Sequence, residues 1–83
     1  MTDPLQPLRE QFIARCRQDR ARLITPVSDE DVAHLIHRLA GVSGVFGYTQ
    51  LGEIAGRLDG AIADGARPTS LDLAELLEAL SSL

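Results

Sequence analysis

Residues 28–47 read SDEDVAHLIHRLAGVSGVFG, and their spacing decides the fold. Val32, Leu35, Ile36, Leu39 and Phe46 recur every three or four positions, with Ser43 on the same side. That is the period of an α-helix with one buried face. Ser28-Asp29-Glu30-Asp31 forms a capping-box pattern ahead of this run and places acids in the first turn, where the helix dipole favours them. Gly47 is the natural stop.

The same period extends in both directions. Upstream, a helix is expected from Pro4 or Pro7 to just before Pro26, capped by Asp3 with Pro4 at the first helical position. Its stripe is Leu5, Leu8, Phe12, Cys16 and Leu23, widened by Ile13 and Ile24. Downstream, a third helix starts at Tyr48 or Thr49 and turns Leu51, Ile54, Leu58 and Ile62 inward. Glu53 and Arg57 are spaced to pair on its outside, and Gly65 ends it ahead of Pro68. The last helix is capped by Thr69 or Ser70, with Asp72 completing the box, and buries Leu73, Leu76, Leu77 and Leu80. β-Branched and aromatic residues do not alternate, so no sheet is expected. The prediction is an all-α, antiparallel up-down-up-down four-helix bundle, a single domain over residues 1–83.

Bulk properties narrow the function. A chain of 83 residues builds one modest core, which leaves little room for an enclosed catalytic cleft, so chemistry is expected on the outside. Net charge is −4 and all eight basic residues are Arg, a poor composition for holding a phosphate backbone. Arg9, Arg15, Arg17, Arg20 and Arg22 spread around the first helix as a solvated face, and no nucleic-acid partner is expected. The lone Cys16 cannot form an intramolecular disulfide and falls on an apolar stripe as a small core residue. The N-terminus lacks the basic and apolar regions of a signal peptide, and no apolar run is long enough to span a bilayer. A cytoplasmic protein without a membrane partner is the expectation.

His37 is the residue with chemical content. It lies roughly 150° around the helix from the centre of the apolar stripe, so it should face solvent. Its neighbours on that face are Ala33, Ala40, Gly41 and Gly44. Exposed helix faces normally carry long polar side chains, and a Gly there costs about 1 kcal/mol relative to Ala. Small residues leave the imidazole open to the backbone of another protein. Imidazole, with an ordinary pKa of about 6.5, is largely neutral and nucleophilic at pH 7.

His37-Arg38-Leu39-Ala40-Gly41-Val42-Ser43-Gly44-Val45-Phe46-Gly47 resembles the signature of the histidine-containing phosphotransfer (HPt) family, which runs His, any residue, Leu, Lys, Gly, small residues and a Gly. Leu51 to Leu58 and Asp59 resemble the family's Leu…Leu-acid pattern on the following helix. The likeness covers about half the chain in sequence and nearly all of it in helix order. It implies that His37 is a phosphoacceptor, taking a phosphoryl group from an aspartyl phosphate on one receiver domain and passing it to another. It also implies that the partners are the receiver domain of a response regulator and a hybrid histidine kinase. Mg²⁺ would come from the receiver, with no cofactor on this chain. The chain would be a phosphocarrier rather than a self-contained enzyme, and it carries no Gly-rich nucleotide loop. Ala33, His34, Arg38, Ala40, Gly41 and Gly44 would form the partner-binding surface. One position departs from the family: Ala40 stands where members place a Lys that helps hold the phosphoryl oxygens. Arg38 and Arg57 are the candidates to replace that charge.

Other readings stand beside this one. A non-catalytic HPt-like interaction module would keep the fold and bind a kinase or receiver without transfer. His34, one turn earlier, is a rival acceptor flanked by Asp31 and Arg38. Glu30, His34 and His37 share helical spacing but offer only three ligands on an open surface, so no metal site is expected. Gly52, Gly56 and Gly60 form a second small-residue stripe, open to two accounts: close helix packing, or an extension of the docking surface.

Overall fold

The computed structural model describes residues 4–25 and 28–83. Four α-helices and one 3₁₀ turn account for its regular structure, with no strand among the described residues. They are α1 (Gln6–Ile24), α2 (Asp29–Val42), the 3₁₀ turn Ser43–Phe46, α3 (Thr49–Ala63) and α4 (Ser70–Ser81). The most extensive helix pairing is α2 with α3, while α4 packs on both α1 and α3. No helix of the described residues is long and apolar enough to cross a membrane.

The periodic residues meet in one core. It comprises Phe12, Cys16 and Leu23 of α1, Val32, Leu35, Ile36 and Leu39 of α2, Leu51, Ile54, Ala55 and Leu58 of α3, and Leu76 and Leu80 of α4. Ile13, Ile62, Leu73 and Leu77 pack half-buried around it. The ends of α1 depart from the sequence reading, because Leu5, Leu8 and Ile24 are exposed. A helix of 19 residues runs about 28 Å, against about 18 Å for the 12 residues of α4 on which it packs, so its ends outrun the core. Within the stripe, Asp19 is buried between Cys16 and Leu23.

Local signals account for the boundaries. The N-cap of α1 is Leu5, without a side-chain cap, and Pro7 rather than Pro4 lies in the first turn, where its missing N–H is tolerated. The expected roles of Asp3 and Pro26 lie outside the described residues. Ser28 caps α2, its Oγ accepting the Asp31 N–H at 3.1 Å. Thr69 and Asp72 form the full reciprocal box on α4. Gly47 and Gly65 take left-handed φ values of 84° and 92°, conformations costly for any residue with a Cβ. After α3, the Gly65 N–H donates to Ile62 and the Ala66 N–H to Ala61, the paired bonds of a Schellman ending.

Two expectations need correction. The second helix does not run unbroken to Gly47: it ends at Val42 and tightens into the 3₁₀ turn, with the Tyr48 N–H donating to Ser43 at 3.0 Å. Phe46 therefore leaves the α-helical phase and stacks half-buried on Phe12, with ring centroids 5.1 Å apart and Tyr48 on the same ring at 5.5 Å. The Glu53–Arg57 pair is replaced by a longer-range one, because Arg57 donates to Glu75 of α4 at 2.7 Å.

Candidate functional site

His37 projects from the middle of α2, and its side chain is 78% exposed. Val32, Leu35, Ile36 and Leu39 fix the rotation of the helix by turning into the core, which leaves position 37 outside. Across the α2–α3 contact, the ring meets Asp59, whose carboxylate oxygens lie 3.1 and 3.2 Å from Nδ1. Leu58, buried beside it in sequence, anchors that turn of α3 and sets Asp59 at the edge of the helix, 33% exposed.

The contact settles the chemistry of the two ring nitrogens. A carboxylate accepts hydrogen bonds, so the nitrogen facing it carries the proton. With Nδ1–H donating to Asp59, the lone pair of the neutral ring lies on Nε2. The carboxylate also limits rotation of the ring, which presents one nitrogen as a nucleophile with a defined direction.

The other residues singled out from the sequence divide into two groups. His34, Gly41 and Gly44 are exposed around the ring. A Cβ built on Gly41 or Gly44 meets nothing within 4 Å, so the fold does not require glycine there and the space above them is open. Ala33 and Ala40 are half-buried rather than on the open face, and Ala40 packs against the core. Arg38 turns the other way, toward α1, and its guanidinium donates to the buried Asp19. Arg57 is held by Glu75 on α4. Neither arginine is placed to stand in for the missing Lys, because each guanidinium already neutralises a carboxylate on another helix. Among the described residues, no group of three or more His, Cys, Asp or Glu is arranged to hold a metal ion.

The third-helix glycines are resolved in part. A Cβ on Gly52 would touch Gly44 N and Ser43 Cβ at 3.6 Å, an ordinary contact at the junction with the 3₁₀ turn. Gly56 and Gly60 face nothing within 4 Å, so close packing does not explain them.

Sequence spacing did not pick out Asp59 as the ring's partner, because His37 and Asp59 are 22 residues apart on different helices. The acid of the Leu-Asp pair on the third helix was the available signal.

The chain is thus a helical bundle with an exposed histidine on its second helix, hydrogen-bonded through Nδ1 to an acid on the third. The chain belongs to the Hpt domain family, whose model matches residues 7–83. Hpt domains serve histidine phosphotransfer in two-component phosphorelays, alongside receiver domains and kinases. No curated protein and no solved structure matches the chain.

Proposed function

We propose that His37 accepts a phosphoryl group on Nε2 from the aspartyl phosphate of a receiver domain and passes it to a second receiver. The observation that carries this reading is the exposed ring whose other nitrogen is bound to Asp59. Phosphoryl transfer asks little covalent work of a carrier beyond an in-line nucleophile and an unobstructed approach. The open space over Gly41 and Gly44 provides the approach. The partners are the receiver domain of a response regulator and a hybrid histidine kinase, with Mg²⁺ held by the receiver.

The test is incubation with a phosphorylated receiver, followed by assay for acid-labile, base-stable label on this chain. Label is expected on the native domain and absent from His37→Gln. Label that survives His37→Gln unchanged overturns the assignment and moves attention to His34.

The positions of Arg38 and Arg57 favour a second reading, in which the domain binds a receiver or kinase without transfer. Ala40 gives no countercharge, and both guanidiniums are occupied elsewhere. This reading predicts binding that is indifferent to His37→Gln and no label on the native chain. A large gain in transfer rate in Ala40→Lys would place the deficit at that position.

A further inference from the structure

A groove between α1 and α2 lies on the flank of α2 opposite the His37–Asp59 contact. The backbones of α1 and α2 stay farther apart than those of α1 and α4 or of α2 and α3. Phe12, Cys16 and Leu39 form a buried apolar floor, with Leu8, Val42 and Phe46 as more exposed walls. Leu8 is 50% exposed, so part of this apolar lining stands in water.

Three charged side chains line the same groove: Arg15 and Asp19 of α1 and Arg38 of α2. Two guanidiniums against one carboxylate leave a surplus of one positive charge. Asp19 is 1% exposed, whereas the arginine side chains are 53% and 36% exposed. Its Oδ1 accepts from Arg38, and its Oδ2 is buried without a hydrogen-bond partner. The carboxylate therefore offers a guest no accessible oxygen, and the polar surface a guest meets is guanidinium. Arg15 Nε stands 3.8 Å from Asp19 Oδ1, drawn by charge but too far for a hydrogen bond. Its planar fork of donors remains available to a second carboxylate.

We infer that this groove is a binding site for a small aromatic carboxylate, its ring on the apolar floor and its charged group on Arg15. The ring gains by leaving water, and the single charged contact fixes its orientation. An organic cation is opposed by the surplus positive charge, and a neutral aromatic molecule covers the floor but leaves Arg15 unmatched. The groove holds about 260 Å³, just under the ~300 Å³ at which small-molecule sites begin, so the guest is no larger than a fused pair of rings.

The probes are 2-naphthoate, its uncharged counterpart 2-naphthalenemethanol, and acetate, which has the carboxylate without the ring. Each is titrated into the whole chain and followed by methyl ¹³C NMR. 2-Naphthoate should shift the Leu8, Leu39 and Val42 methyls saturably, and acetate should shift none of them. The alcohol should shift the same methyls with about 3- to 5-fold weaker affinity, the upper end for an ion pair open to water. Arg15→Gln removes the surplus charge and leaves Arg38 on Asp19, so it should weaken 2-naphthoate by a similar factor and leave the alcohol unchanged. Leu8→Ser removes an apolar wall and should weaken both. Both substituted positions are exposed, and circular dichroism checks that the variants stay folded. No shift of those methyls up to the solubility limit of 2-naphthoate, or equal affinity for acid and alcohol, overturns the inference. Undiminished binding of 2-naphthoate to either variant does the same. None of these outcomes bears on His37 as the acceptor.

Discussion

Asp19 sits within the apolar stripe of α1, 1% exposed, and its Oδ1 lies within reach of two guanidiniums, Arg38 directly and Arg15 at 3.8 Å. A charge taken out of water needs such neighbours, and removing one leaves an uncompensated carboxylate in the core. Arg38→Ala is therefore expected to lower stability by about 2–3 kcal/mol in urea denaturation, somewhat less than for a fully buried pair because Arg15 remains. The double variant Asp19→Leu, Arg38→Ala should recover most of that loss; if it is no more stable than Arg38→Ala alone, the pair is not the cause. The same environment acts on Cys16, whose thiol is pushed up to about 11, first by burial and then by Asp19, with Arg38 opposing. Cys16 was legible in the sequence as a core residue. Asp19 was not, since a polar residue on an apolar stripe reads as an interruption until its partner on another helix is known.

At the scale of the element, α4 carries the clearest local instruction. The Thr69 Oγ1 accepts the Asp72 N–H at 3.1 Å, and the Asp72 carboxylate accepts the Thr69 N–H at 2.9 Å. Thr69→Ala should cost about 1 kcal/mol, measured by thermal or urea unfolding. The backbone N–H of Thr69, followed by the Thr69 side chain, lowers the Asp72 pKa below its ordinary 3.8. A folded-state value below the unfolded one gives a stability contribution that is present above about 3.8 and lost as pH falls through the folded value. The stability gap between the native chain and Asp72→Asn should thus be constant near neutrality and shrink on acidification; a gap that grows in acid contradicts the cap. Caps and glycine stops were readable because they depend on neighbours within four or five residues. The 3₁₀ turn at Ser43–Phe46 was not, because stacking of Phe46 on Phe12, a contact between segments far apart in sequence, accompanies the departure from α-helical phase.

Across the whole molecule, the exposed ring, the Asp59 edge of α3 and the open space over Gly41 and Gly44 form one face on the α2–α3 pair. The opposite flank of α2 is joined to α1 through Arg38–Asp19, and the 3₁₀ turn that follows is joined to it through Phe46–Phe12. These leave a groove of about 260 Å³ between the helices, lined by Leu8, Phe12, Leu39, Val42 and Phe46 among others. The face and the flank should therefore respond differently to substitution. Gly44→Trp adds bulk where nothing in the fold resists it, so folding should be retained while transfer from a phosphorylated receiver slows by about tenfold, ~1.4 kcal/mol of docking energy. A Gly44→Trp domain that transfers at the native rate would show that partners approach from elsewhere.

Apolar period and chain punctuation were enough to determine four helices, most of one shared core and an outward-facing imidazole, because each follows from residues close together along the chain. Which acid binds that imidazole, which carboxylate lies buried beneath α1 and where the two arginines spend their charge were decided only by tertiary structure. Those pairings join helices far apart in sequence, and a long charged side chain takes whichever countercharge the packed helices bring within a few ångströms.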